Sequence, residues 1–375
     1  MYRILCLLLC ILLLPVSVNA QVSAQSCIVI EATSGRVLYE KNPDSQMPMA
    51  STTKIMTALV ALEECDPDTK VTISKTAAGV EGSSMYLEAG EILTIKELLY
   101  GLMLSSGNDA AVAIAEQLGG IDAFVEKMNQ KAETLGATST HFKNPNGLPH
   151  EEHFSTARDM ATITAAALAN PAFAEIVATK SYTVSGEGKA YPRTLTNHNK
   201  LLKMCEGCIG VKTGFTKAAG RCLVSAAERE GMTLLCVTLH APDDWNDHMS
   251  LYNQCFAQYS MSTKLLPETS LGEITVTGSD RLLLPFGASE AFAYPLKEGE
   301  TLSLDLSPME RLSAPVAQGE VCGTANVCLN GKIIKTLSLV TLEDAPWKLI
   351  PQAVRQGFTL NLGTLYRRWL TILYR

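Results

Sequence analysis

The chain divides into zones by the spacing of its apolar positions. Ile4 to Val18 is an almost unbroken apolar run, preceded by Arg3 and followed by Val18-Asn19-Ala20. A cation, a short apolar core and a small-x-Ala site describe a secretory signal peptide, expected over residues 1–20. Val22-Ser23-Ala24 is a second cleavage candidate, and an uncleaved anchor helix is the alternative. Leu7-Leu8-Leu9-Cys10 does not make a lipoprotein site, because the residue before the cysteine is large. Next, Cys27–Glu31, the turn Thr33–Arg36 and Val37–Tyr39 read as strand, turn, strand. Helical spacing follows from near Ser51, then through Ile95, Leu98, Leu99, Leu102 and Met103, which breaks at Ser105-Ser106-Gly107-Asn108. A new helix is expected from Asp109. Another runs from Asp122 to Leu135, with Gly136 as its C-terminal cap. Asn144-Pro145-Asn146-Gly147 is a turn cluster. Thr156, with Asp159 three residues on, caps a further helix.

After residue 180 the pattern changes to strands: Ile209–Gly214, Cys222–Ala227 and Met232–Leu239. Strands at both ends of the region with helices between them predict an α/β (α+β) domain built on an antiparallel sheet. From Ser260 the helical period gives way to a period of two, in Glu273–Thr277, Thr301–Leu306 and Val327–Ile334. Asn330-Gly331 marks a hairpin. This zone reads as a separate small all-β domain. In Phe358–Arg375 the positions Phe358, Leu362, Leu365, Tyr366, Trp369, Ile372 and Leu373 share one helical face, with Arg367, Arg368 and Arg375 and no acidic residue. A basic amphipathic helix with aromatics suits an anionic membrane surface and is too polar to span one. Docking on the protein itself is the alternative. The expected boundaries are residues 1–20, 21–259 (catalytic), 260–345 (β-sandwich-like) and 346–375 (membrane-associating).

Composition narrows the function. A length of 375 residues allows more than one core. The formal net charge of -7, without a strongly basic domain, argues against a nucleic-acid binder. Eleven cysteines, two of them in the leader, leave an odd nine. Cys205-Glu206-Gly207-Cys208 lacks a second pair for a four-cysteine zinc site and reads as a structural pair or as small apolar residues. Cys322 and Cys328 are candidates for a local bridge. His150-Glu151-Glu152-His153 does not have the spacing of a zinc-protease motif.

One stretch carries chemistry. In Ser51-Thr52-Thr53-Lys54 a lysine lies one turn after a serine, inside an otherwise apolar helix start. Residues three apart share a helix face. A serine is a weak nucleophile until a base takes its proton, and a lysine becomes that base only when burial or nearby positive charge depresses its pKa. Alone the pair is a weak signal. It is joined by Ser106-Gly107-Asn108 in a helix break and by Lys212-Thr213-Gly214 on an expected strand, where the glycine lets a substrate approach the backbone. That order of motifs belongs to serine acyl-enzymes that react with penicillin.

With Asn144–Leu148, Phe154–Ala157, Asp159-Met160 and His198–Leu202, the chain resembles the low-molecular-mass penicillin-binding proteins of the serine-type D-alanyl-D-alanine carboxypeptidase family. The likeness covers nearly the whole mature chain. It implies a penicillin-recognising, transpeptidase/β-lactamase-like catalytic domain with a helical subdomain. A β domain and a membrane-bound tail on the outer face of the cytoplasmic membrane would follow it. Ser51, Lys54 and Ser106 would then be catalytic, Ser51 attacking the bond between two terminal D-alanines of a peptidoglycan stem peptide. Asn108, Lys212, Thr213, Gly214 and Phe215 would bind substrate. The N–H groups of Ser51 and Phe215 would hold the oxyanion, and β-lactams would acylate Ser51. No cofactor or metal is implied.

The likeness fails at one point. Related enzymes often place an arginine near the substrate carboxylate, and Ala241–His248 contains none. Lys212, Thr213, Thr216 or Arg221 would take over that part, while Trp245 is expected to serve packing. A cross-link endopeptidase and a non-catalytic wall or penicillin binder are the competing functions; the completeness of all three motifs argues against the binder. Glu151 and Glu152 lie near the place of a β-lactamase's deacylating glutamate, but their loop does not resemble that family.

Overall fold

The computed structural model describes residues 22–185 and 192–348, so the expected signal segment and Phe358–Arg375 lie outside the described residues. The chain forms two compact units that divide between Met261 and Ser262.

The first unit is built on a five-stranded antiparallel sheet. Its strands are β1 (Ser26–Glu31), β2 (Val37–Lys41), β3 (Cys208–Thr216), β4 (Gly220–Arg229) and β5 (Met232–Leu239), in the spatial order β2-β1-β5-β4-β3. Both faces of β1 are covered, which explains its unbroken apolar run. Ile28 and Ile30 point into one apolar cluster, Cys27 and Val29 into another.

The first cluster is filled by helices α1 (Lys54–Glu64), α2 (Ile95–Leu104), α3 (Asn108–Gln117), α4 (Ile121–Thr134), α5 (Ala157–Leu168) and α6 (Pro171–Ala178). Residues 54–61 of α1 are buried all round, as a central helix requires. Thr94 and Glu97 form a capping box at the start of α2, and Thr156 Oγ1 accepts from Asp159 N at 3.0 Å at the start of α5. α3 begins at Asn108, one residue before the expected start.

The second face is covered by α7 (Asp244–Gln258), which contributes Leu251, Tyr252 and Cys255. The sequence pattern, read as changing to strands after residue 180, did not single out this helix. Its apolar positions are few and its exposed side is polar, so the period is faint beside that of the strands before it.

The second unit is all-β; β6 (Tyr259–Leu265) runs across the division into it. A six-stranded sheet joins β7 (Gly272–Thr277), β8 (Leu283–Ala288), β10 (Leu302–Pro308), β11 (Leu312–Ser313), β12 (Val321–Leu329) and β13 (Lys332–Thr341) in the order β10-β12-β13-β8-β7-β11. β9 (Phe292–Lys297) pairs with β6. Leu329 pairs with Lys332 across Asn330 (φ 49°) and Gly331 (φ 83°), the two-residue hairpin expected of Asn-Gly. Cys322 and Cys328 are thiols, correcting the bridge considered for them: six residues apart on one strand, they are about 20 Å apart. Cys205 and Cys208 are likewise unbridged.

Candidate active site

Three backbone features bring the motifs together. Ser51 lies in a 3-10 turn, Ala50–Thr53, directly before α1. Ser106 and Gly107 form the break between α2 and α3, with Ser106 at φ 58°. Lys212, Thr213 and Gly214 lie on β3, the edge strand of the sheet. Contact with the serine turn is close: a Cβ on Gly214 would sit 3.0 Å from Ser51 N and 3.2 Å from Ala50 Cβ. Glycine there lets the strand pass beside the Ser51 N–H.

The turn is braced from behind. Thr52 Oγ1 donates to Met49 O at 2.7 Å and Thr53 Oγ1 to Ala50 O at 2.8 Å. His153 is buried, and its Nδ1 accepts from Lys143 N at 3.0 Å. Its Nε2 is therefore the protonated nitrogen and donates to Thr53 Oγ1 at 2.8 Å. Burial first, then the charges of His141, His150 and Lys54, hold His153 down to about 4, so it braces the turn as a neutral ring. At Gly147 (φ 88°) a Cβ would meet Ala50 O at 2.1 Å, so the loop carrying Asn146 can close on the turn only with glycine there.

Lys54 is fully buried. Its Nζ lies 2.9 Å from Ser51 Oγ and 2.7 Å from Asn108 Oδ1, and it also contacts Asn146 O. Asn108 Nδ2 donates to Glu81 O at 2.7 Å, which fixes the amide with its oxygen toward Lys54. Burial is the main force holding Lys54 well below its ordinary pKa; the Lys212 charge adds to it and Asp109 opposes it. A neutral amine has two hydrogens. Asn108 Oδ1 and Asn146 O can only accept, so they use both. The lone pair is left toward Ser51 Oγ, where the serine O–H can donate to it.

Lys212 is also buried, and burial brings it down to about 7; its Nζ donates to Thr213 O at 2.9 Å. Ser51, Ser106, Thr213, Gly214 and Phe215 line one cleft of about 290 Å³, together with Ser83, His198, Arg221, Asp244 and Trp245. A larger cleft of about 630 Å³ between Met47, Pro149 and Phe154 contains neither serine motif.

The structure thus brings Ser51, Ser106, Thr213, Gly214 and Phe215 to one cleft, with Lys54 and Lys212 buried beneath it. Asn108, expected to hold the substrate, has its oxygen on Lys54 and one of its N–H groups on Glu81 O. Trp245 lines the cleft, where packing alone was expected. His153 and the carbonyls of Glu81 and Asn146 carried no signal in the sequence. Asp109 was visible only as the start of a helix; its carboxylate accepts from Met85 N, Leu87 N and Ser84 Oγ and holds the 83–87 loop beside the cleft.

An antiparallel sheet flanked by helices, with a serine turn, a buried lysine pair and a glycine strand edge, defines the class of penicillin-recognising serine enzymes. A family model described as D-alanyl-D-alanine carboxypeptidase matches residues 15–243, and one described as Penicillin-binding protein 5, C-terminal domain matches residues 261–346. The chain belongs to the D-alanyl-D-alanine carboxypeptidase family. It is 34% identical over 334 residues to D-alanyl-D-alanine carboxypeptidase DacF of Bacillus subtilis, covering 86% of this chain and 85% of that protein. Penicillin binding protein 5 from Haemophilus influenzae superposes with a TM-score of 0.75 at 30% identity, covering 88% of this chain and 99% of that one. The carboxypeptidase DacD from Francisella tularensis gives 0.67 at 25% identity over 90% and 96%.

Proposed function

We propose that this protein is a serine-type D-Ala-D-Ala carboxypeptidase that removes the terminal D-alanine from peptidoglycan stem peptides through an acyl-enzyme on Ser51. The observation that carries the reading is the placement of Lys54 Nζ, buried, 2.9 Å from Ser51 Oγ and in contact with the acceptors Asn108 Oδ1 and Asn146 O.

In the first step Ser51 Oγ bonds to the carbonyl carbon between the two D-alanines while its proton passes to Lys54 Nζ. The carbonyl becomes an oxyanion between the N–H groups of Ser51 and Phe215; a donor of this kind contributes about 3 kcal/mol. The C–N bond then breaks as the proton held by Lys54 passes through Ser106, beside Lys212, to the departing amine, which leaves Lys54 neutral again. Lys212, with its pKa near neutrality, suits such a transfer. Water, deprotonated by Lys54, attacks the ester next and frees Ser51. A β-lactam enters by the same first step and keeps its leaving group tethered.

Release of free D-alanine from a peptide ending in Lys-D-Ala-D-Ala tests the reading, with the intact protein compared with Ser51→Ala. Release that depends on Ser51 supports it. A folded protein that binds penicillin, releases no D-alanine and cuts cross-linked dimers is an endopeptidase.

The same reading has the protein exported by its leader and held at the outer face of the cytoplasmic membrane by Phe358–Arg375, supported by the charge and apolar pattern of both segments. Deleting Phe358–Arg375 should move the protein to the soluble fraction with its activity intact. Unchanged membrane retention would rule the tail out as the anchor.

A further inference from the structure

The cleft contains more cationic groups than the mechanism uses. Lys54 and Lys212 are buried; Lys54 Nζ contacts Asn108 Oδ1 and Asn146 O, and Lys212 Nζ donates to Thr213 O. His198 is held below its ordinary pKa, first by desolvation and then by the Lys212 charge. Arg221 remains. It lies on β4 directly opposite Phe215 on β3, and 41% of its side chain is exposed. Nε and Nη2 both donate to Asp244 Oδ1, at 2.9 and 2.7 Å, and the guanidinium stands 5.5 Å over the Trp245 ring. Asp244, the first residue of α7, is buried and also accepts from Trp245 N at 2.9 Å. An arginine has five N–H groups. Three are left over, in a plane fixed by a carboxylate at its edge and an aromatic ring at its face.

We infer that Arg221, positioned by Asp244 and Trp245, binds the terminal carboxylate of the D-Ala-D-Ala donor and makes the enzyme selective for a free C-terminus. This deepens the carboxypeptidase reading and rests on it. If the scissile carbonyl sits at the Phe215 N–H, the terminal carboxylate lies one residue further on, about 3.5 Å of chain. The residue paired with Phe215 across the sheet is Arg221. A guanidinium matches a carboxylate with two parallel N–H bonds, which neither a hydroxyl nor a point-charge ammonium can do. Thr216, the other open candidate, accepts from Ala219 N in the β3–β4 turn and is not part of the cleft lining. The arginine missing from residues 241–248 is therefore replaced from the neighbouring strand, and an aspartate of that segment holds the replacement.

The test uses the full-length protein and two donors that differ at one group: diacetyl-Lys-D-Ala-D-Ala with a free carboxylate, and the same peptide as its terminal carboxamide. The wild type should favour the acid in kcat/KM by about 10- to 100-fold, as expected of charge-assisted bonds. Arg221→Gln should bring the two donors within a few-fold by slowing the acid alone; retained turnover of the amide shows that the variant is folded. Arg221→Lys should keep part of the preference. Asp244→Asn should lose part of it, because the guanidinium is no longer anchored. An Arg221→Gln enzyme with the wild-type preference would overturn the inference. So would equal slowing on both donors, which would mark a structural role. A wild type that hydrolyses neither peptide would fail the carboxypeptidase reading, and the inference with it.

Discussion

Replacing Asn108 by Asp puts the Lys54 argument to a hard test, because it changes one atom type without changing shape. Asn108 Oδ1 lies 2.7 Å from Lys54 Nζ, and as an amide it accepts a hydrogen bond without contributing a charge. A carboxylate there would attract an ammonium by about 6 kcal/mol at 2.7 Å and an effective dielectric of about 20. Desolvating the new carboxylate and setting it against Glu81 O takes part of this back. If about 3 kcal/mol survives, Lys54 rises by about two pKa units. The pH at which Lys54 becomes neutral then rises by the same two units, and its neutral fraction falls at pH values below the new one. The second-order rate of acylation by a fluorescent penicillin should fall accordingly, and recover as the pH is raised toward the new value. Asn108→Ala serves as the control, since it removes the amide without adding charge and should leave the pH profile closer to wild type. An Asn108→Asp enzyme with the wild-type rate and profile would refute the claim that a neutral Lys54 takes the serine proton.

Other substitutions probe the supports of the site. Lys212→Met should raise Tm and abolish turnover. Burial brings its pKa in the folded protein to about 7, below the ordinary 10.5, so the penalty is complete below pH 7, about 5 kcal/mol at most, and fades as pH rises toward 10.5. The variant should lose that upward slope of stability with pH, and a slope equal to wild type would contradict the assignment. Gly214→Ala should slow acylation at least tenfold, on the order of part of an oxyanion donor, by pushing β3 away from Ser51 N; structure determination of the variant would show the shift. Gly147→Ala should cost on the order of 2–4 kcal/mol in urea unfolding, combining a left-handed φ with a Cβ that meets Ala50 O. A neutral Gly147→Ala would mean the loop does not brace the serine turn.

Much of this site was legible because its chemistry needs particular side chains at helical or strand spacing. Ser51 with Lys54, Ser106 and Lys212-Thr213-Gly214 are of that kind: the pair at a helix start, Ser106 in a helix break, the last motif on a strand. What was not legible is carried by backbone or by distant pairing. Asn146 and Glu81 act through carbonyls, which any residue supplies. His153 acts from a loop 100 residues from Thr53, and the sequence shows only two histidines in a turn-rich stretch. That Asn108 also faces Lys54 was not legible, because its orientation depends on Glu81, in a loop whose position the sequence does not encode locally. α7 was missed because its buried stripe is narrow, and with it the Asp244 that makes Arg221 more than a candidate.

The most direct test of the central claim is to locate the covalent bond. The full-length protein should be exposed briefly to penicillin, its intact mass measured, and the adduct mapped by peptide mass spectrometry. The account predicts one penicilloyl group per chain, on the peptide carrying Ser51, absent in Ser51→Ala and formed far more slowly in Asn108→Asp. An adduct on Ser106 or elsewhere, or labelling that persists in Ser51→Ala, would contradict it.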